Sequence, residues 1–409
     1  MTLPEIESAA RRISPYIDRT PLLRSNFLSE YFDASVYLKC ENLQRTGSFK
    51  VRGALNKLIK TKAKKVTTAS MGNHAQGVAY AALRLGAEAL VVMPSTVSIV
   101  KEEAVRHYGA QVILKGQELA EAIDYSRGLK DHLFIHPYDD KDVIEGQGTI
   151  GLEIVEELKD IDEIIVPVGG GGLISGVAQA VKAVSAKTVI TGVQSEAALS
   201  ALISFRDKMP VAKEIVQGTL ADGIAVGEVG EMTLREMIEM VDRMESVSEG
   251  LIARAIFMLL EMKKLVVEGA GATPLALMLK ELPDKAARFK GKKIVLVLSG
   301  GNIDPAAAGR IINRALAEAG RLGSFRISID NSPGVLGRVL DIVARNRANL
   351  VEVTHRRDIY RALPATSGTA EGFSLDKAIV DLNIETRGLA HLKEILADIK
   401  QEGFIHVES

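Results

Sequence analysis

The chain of 409 residues carries one cysteine, Cys40, and no tryptophan. One thiol excludes an internal disulfide and a cysteine-rich structural zinc site. It also suits a reducing compartment. Aromatic residues make up 4% of the chain, too little for the stacking platforms that grip single-stranded nucleic acid. Neither sign of charge dominates: 51 Lys and Arg face 52 Asp and Glu, a formal net charge of -1. The basic excess of a protein that lives on phosphate backbones is missing. No stretch of 18 apolar residues occurs, so no membrane span is expected. The segment from Met1 to Tyr16 lacks the apolar run of a signal peptide. These absences predict a cytoplasmic protein with neither nucleic acid nor membrane as partner.

What is present is an ordinary globular composition, 47% apolar and 25% charged. The length suits two or three domains. Short apolar runs rich in β-branched residues occur at 89–93, 164–168, 189–193 and 293–298. Such runs suit strands buried on both faces of a parallel sheet. Helix-like stretches such as 76–85 and 173–184 lie between them, which predicts an α/β protein. The pattern changes near residue 320. A helix over 304–321 is followed by strand, helix, strand, a loop around Ala365 to Gly372, strand, helix and strand. That β-α-β-β-α-β order is a ferredoxin-like unit. The expected division is 1–322 and 323–409.

Four segments carry the chemistry. Gly169-Gly170-Gly171-Gly172 follows the 164–168 strand and precedes a helix. Glycines let backbone N–H groups and a helix N-terminus converge on an anion. The dinucleotide fingerprint fails, with Ile174 or Ser175 where Gly or Ala is needed, and the P-loop fails at Val177. The loop therefore reads as a phosphate cradle without NAD or ATP machinery; the bland alternative is a tight turn. Ser48-Phe49-Lys50-Val51-Arg52-Gly53-Ala54 places Lys50 in the first turn of a helix that Ser48 is expected to cap. The positive dipole end favours the neutral, nucleophilic amine, although most first-turn lysines are solvated. Ser70-Met71-Gly72-Asn73-His74-Ala75-Gln76-Gly77 opens another helix with small polar groups that suit a carboxylate. His74 lacks partners at ligand spacing, so metal binding is not expected. Ser299-Gly300-Gly301-Asn302 follows the 293–298 strand. Ligands of open α/β sheets gather outside the carboxyl ends of strands, and three glycine-rich loops at three such ends point to one small anionic ligand.

Together these motifs, S-F-K-x-R-G-A, S-x-G-N-H-x-Q-G, V-G-G-G-G-L-I-S-G and S-G-G-N, resemble the fold-type II pyridoxal 5'-phosphate enzymes, and among them the threonine dehydratase (threonine ammonia-lyase) branch. The resemblance covers about 15–304. It implies two open α/β subdomains with pyridoxal 5'-phosphate as cofactor. Lys50 would be the catalytic lysine that bonds it, and Phe49 would pack on its ring. Asn73 would meet the ring hydroxyl, Gly169, Gly170, Gly171, Gly172 and Leu173 the phosphate, and Ser299 the pyridine nitrogen. Ser70, Gly72, Asn73 and His74 would grip the carboxylate of an amino-acid substrate. The implied reaction converts L-threonine to 2-oxobutanoate and ammonia, with L-serine as secondary substrate. The alternatives are a serine dehydratase, a serine racemase-like enzyme and a non-catalytic amino-acid sensor. Met71 stands where racemases carry a second, serine base, which argues against racemisation. Gln194, Ala198 and Ser200 stand where racemases place an acidic divalent-metal site, with Glu196 nearby, so no metal is expected. The tail from Ser324 resembles an ACT regulatory domain. Asp330, Asn331 and Gly334 before its first helix would meet an amino-acid effector, isoleucine or valine by analogy with isoleucine biosynthesis. A homo-oligomer, dimer or tetramer, is implied as well.

Overall fold

The apolar β-branched runs assemble into two largely parallel sheets. The computed structural model describes residues 1–213, 215, 218–282, 288–356 and 377–407. It divides into two compact units, Met1–Asp304 and Pro305–Ser409. In the first unit a six-stranded sheet has the order β1-β2-β10-β7-β8-β9. These strands are β1 (Leu22–Arg24), β2 (Ser35–Cys40), β7 (Glu163–Pro167), β8 (Val189–Ser195), β9 (Arg243–Val247) and β10 (Lys293–Leu298). Only β1 runs antiparallel to its neighbour. A four-stranded parallel sheet has the order β5-β4-β3-β6, formed by β3 (Lys65–Ala69), β4 (Glu88–Met93), β5 (Gln111–Leu114) and β6 (Leu133–Phe134). The strands expected at 89–93, 164–168, 189–193 and 293–298 are β4, β7, β8 and β10. Every residue of β7 is buried, as a run without alternation demands.

The helix Lys141–Glu157 is buried from Val143 to Val155. It packs against the helices Lys50–Thr61 and Gly172–Val184. Ionic contacts lock this junction. Arg52, fully buried, donates to both oxygens of Glu41 at 2.8 Å and to Glu153 Oε1 at 2.7 Å. Lys39 on β2 closes the group on Glu153. The end of β2, the helix that begins at Lys50 and the central helix are thereby held together.

The second unit carries an antiparallel sheet in the order β12-β13-β11-β14. Its strands are β11 (Leu322–Asp330), β12 (Asn349–Arg356), β13 (Lys377–Glu385) and β14 (Ile405–Val407). The helices Val335–Arg345 and Leu389–Gln401 complete the β-α-β-β-α-β order. Phe325, Ile327, Ile329, Val339, Val380 and Ile395 belong to its core. The division falls at 304/305 rather than 322/323, because the helix Pro305–Glu318 packs on β11. The loop expected around Ala365 to Gly372 lies outside the described residues. Among the described residues no helix is long and apolar enough to cross a membrane.

Candidate active site

The segments that follow five parallel strands of the first unit come together at one place. β2 leads to 41–49, β3 to 70–72, β6 to 135–139, β7 to 169–171 and β10 to 299–302. Lys50 is the first residue of its helix, and its Nζ donates to the Pro137 carbonyl at 2.9 Å. Burial lowers the amine to about 8, opposed by the charge of Glu268. The Phe49 ring centroid lies 5.2 Å from Nζ.

Ser48 does not cap this helix. Phe49 occupies the N-cap position, and the Ser48 hydroxyl is buried without a partner. A backbone tie wins instead: Ser48 bridges to Gly300, and the Phe49 N–H donates to the Ser299 carbonyl at 3.1 Å. The lysine motif is thus fastened to the Ser299–Asn302 loop. Ser299 itself is buried.

The Ser70–Asn73 segment enters the helix Asn73–Leu85. That helix approaches the lysine helix closely, since a Cβ at Gly77 would sit 3.0 Å from the Lys50 carbonyl carbon. Gly72 borders open space, and its N–H donates to Ser70 Oγ at 3.3 Å. His74 is buried, and its Nε2 lies 3.0 Å from the Ile135 carbonyl. A carbonyl only accepts, so Nε2 carries the proton. Burial holds the ring neutral, lowering it to about 3, and the Lys50 charge acts in the same direction. With Nε2 committed and Nδ1 bare, the His74 side chain has no donor for a carboxylate. Its main-chain N–H lies in the first turn of the helix Asn73–Leu85, where no intrahelical acceptor is available.

The glycine loop lies opposite. Gly171 has φ +94 at the N-cap of the helix Gly172–Val184, a left-handed conformation that favours glycine. The first N–H groups of that helix lack intrahelical partners by geometry. Two residues missed by sequence reasoning brace the loop. The Tyr138 ring packs against Gly170, leaving no room for a Cβ there, and its hydroxyl donates to the Glu228 carbonyl at 3.1 Å. Thr233 Oγ1 donates to the Gly170 carbonyl at 2.7 Å. A third missed residue is Glu268, buried 2.8 Å from Asn73 Nδ2. Burial pushes its carboxyl up to about 7, against the hydrogen bond from Asn73. Its only sequence signal is a lone acid before the small-residue run Gly269-Ala270-Gly271-Ala272.

The described residues include no group of three or more His, Cys, Asp or Glu able to hold a metal. Gln194 Oε1 accepts from the Leu202 N–H at 2.8 Å, and Ser200 Oγ donates to the Val226 carbonyl at 2.6 Å. In the second unit Asp330 is paired with Lys377 at 2.6 Å, and Gly334 is the N-cap of the helix Val335–Arg345 with φ +86. Asn331 lies in the turn between them.

Residues 13–300 match the family described as pyridoxal-phosphate dependent enzyme, well over half of the chain. The chain belongs to the pyridoxal-phosphate dependent enzymes. It has the α/β fold-type II architecture of that family. It is 41% identical to the L-threonine ammonia-lyase of Thermotoga maritima over 99% of this chain and 98% of that one. It is 43% identical to the catabolic L-threonine dehydratase of Staphylococcus aureus over 82% of this chain and 96% of that one. Among solved structures it is similar to a T.th. threonine deaminase at 42% identity and a TM-score of 0.70, covering 74% of this chain and 99% of that one. The processed threonine deaminase isoform 2 of Solanum lycopersicum is similar at 37% identity and a TM-score of 0.72, covering 77% and 87%.

The donor set fits the family's cofactor. Lys50 offers an amine made less basic by burial, and the glycine loop offers a helix N-terminus to a phosphate. Asn73 offers an amide and Ser299 an uncharged hydroxyl. The buried acid Glu268 is hydrogen-bonded to Asn73.

Proposed function

We propose that the chain is a pyridoxal 5'-phosphate dependent threonine ammonia-lyase, converting L-threonine to 2-oxobutanoate and ammonia. The water lost with the β-hydroxyl is regained when the amino group leaves as ammonia. L-serine lacks one methyl group, a difference worth about 1–3 kcal/mol in an apolar pocket, so it is a secondary substrate. The observation that carries this reading is the position of Lys50. Its amine stands where the segments that follow the parallel strands come together and is lowered to about 8. The 41% identity to a named threonine ammonia-lyase over nearly the whole chain supports the choice of substrate.

When bound, the cofactor supplies the electron sink that makes the substrate Cα proton acidic. The chain does the rest. Lys50 would hold the cofactor, and its free amine would take the Cα proton of the substrate. A lowered amine is neutral, hence basic, over more of the working pH range than an ordinary lysine. Ser70, Gly72, Asn73 and the main-chain N–H of His74 bind the substrate carboxylate at a helix start. Gly169 to Leu173 would bind the phosphate, Phe49 would pack on the ring and Asn73 would meet its hydroxyl. Ser299 would meet the pyridine nitrogen, and a hydroxyl is a poor proton source for it. A neutral ring nitrogen would be a weaker sink and would favour loss of the β-hydroxyl.

The second unit is proposed as an ACT-like regulator. Its β-α-β-β-α-β order supports this. With Asp330 committed to Lys377, Asn331 and the start of the helix after Gly334 are left to receive an amino-acid effector, isoleucine or valine. A cytoplasmic homo-oligomer is proposed with it.

Borohydride reduction of the loaded protein followed by peptide mapping tests the assignment of Lys50. Label on Lys50, and none after Lys50→Ala, is expected. Label on another lysine overturns it.

A further inference from the structure

Two amides and a carboxylate form a chain of hydrogen bonds at the edge of the site. Asn302 Nδ2 donates to the Thr46 carbonyl at 2.9 Å and to Asn73 Oδ1 at 2.8 Å. Asn73 Nδ2 donates to Glu268 Oε1 at 2.8 Å. The Asn302 backbone also donates to the Glu268 carboxylate.

An asparagine amide is nearly symmetric in shape, and its neighbours decide which end is which. Here both ends of the chain are acceptors. The Thr46 carbonyl cannot donate, so Asn302 must present its NH2 to it. That same NH2 reaches Asn73, which must therefore answer with its oxygen. Asn73 then turns its NH2 toward Glu268, whose carboxylate accepts. One N–H of Asn73 remains. Gly47, with φ +70, secures the start of the chain, because any Cβ there would strike the Asn302 amide. None of the proposed roles accounts for Asn302 in the S-G-G-N motif or for the buried acid Glu268.

We infer that Glu268 and Asn302 are positioning residues that fix the orientation of the Asn73 amide, so that its remaining N–H is offered to the ring oxygen of the cofactor. This rests on the proposed reading of the site. A flipped Asn73 would set its NH2 against the NH2 of Asn302 and its oxygen against the Glu268 carboxylate, so donor would face donor and acceptor would face acceptor. Glu268 also faces Lys50 on its helix, Asp222 on the turn Asp222–Ile224 and Lys101 on the helix Ile99–His107. Its role as acceptor must therefore be separated from its charge.

Three variants make that separation, each titrated as apoprotein with pyridoxal 5'-phosphate while the visible absorbance band is recorded. Glu268→Ala removes the acceptor. Asn302→Asp keeps the shape but presents only acceptors to Thr46 and Asn73. Both are expected to weaken cofactor binding by about tenfold or more, which is about 1.4 kcal/mol, and to move the band of the residual complex, since the band reports the environment of the ring oxygen. Glu268→Gln keeps an oxygen for Asn73 and is expected to restore most of the affinity and the band. Thermal unfolding of each apoprotein reports folding. If Glu268→Ala does not fold, Asn302→Asp and Glu268→Gln still decide. The inference is overturned if Asn302→Asp binds as wild type, if Glu268→Gln is as damaged as Glu268→Ala, or if affinity falls with the band unmoved. A wild-type protein that binds no cofactor would instead contradict the reading of the site.

Discussion

At the scale of single residues, the site separates groups by what burial does to them. Lys50 is lowered toward neutrality and Glu268 is raised toward it, in each case chiefly by burial. His74 is held neutral and anchored by its Nε2 proton. Lysine and histidine were legible in the sequence because each sits in a distinctive local string beside a helix start. Glu268 was not, because its importance comes from a contact with Asn73 across 195 positions. Tyr138 and Thr233 escaped for the same reason, and β6, two residues long, is too short to announce a strand end before Tyr138. Met71 carries the sharpest prediction at this scale. A thioether cannot relay a proton at Cα, so one face of the substrate lacks a second base there. Residual L-serine should therefore stay L during turnover. Chiral analysis checks this, and D-serine appearing at a rate comparable to deamination would show another group at work.

Among elements, the reading of strands succeeded where both faces are buried, since runs such as Glu163–Pro167 have no other use in a folded chain. It failed at the Ser48 cap. Local preference favours a serine there, but the pairing of Ser48 and Phe49 with the Ser299–Gly300 loop takes the backbone elsewhere. The same helix depends on an interaction that composition does not reveal. Arg52 lies between Glu41 and Glu153 with no exposed surface. Removing one partner of a buried ion pair leaves an uncompensated charge and costs about 3–5 kcal/mol. Arg52→Ala is expected to lose stability on that scale in chemical denaturation and to bind the cofactor more weakly, because Lys50 stands two residues away. A loss below about 1 kcal/mol, the range of exposed pairs, would mean that water relieves the charge.

For the molecule as a whole, the two units divide catalysis from the proposed control. The first unit holds every proposed catalytic and cofactor residue, and the second holds Asp330, Asn331 and Gly334. The order of strands in the second unit was legible from alternation, whereas its boundary was not, because the helix Pro305–Glu318 is amphipathic and fits either side until its packing on β11 is seen. A chain ending at Asp304 is expected to keep its cofactor and turnover and to lose any response of threonine saturation to isoleucine or valine. Allosteric couplings are typically about 1–3 kcal/mol, or roughly 5–150-fold in affinity, so saturation curves with and without each amino acid resolve the effect. A full-length protein that responds to neither leaves the second unit without the sensing role. The central claim is the reaction itself. Purified protein loaded with pyridoxal 5'-phosphate should convert L-threonine to equal amounts of 2-oxobutanoate and ammonia, followed by proton NMR and an ammonia assay, and Lys50→Ala should yield neither. No 2-oxobutanoate from the loaded wild-type protein, or undiminished product from Lys50→Ala, would contradict it.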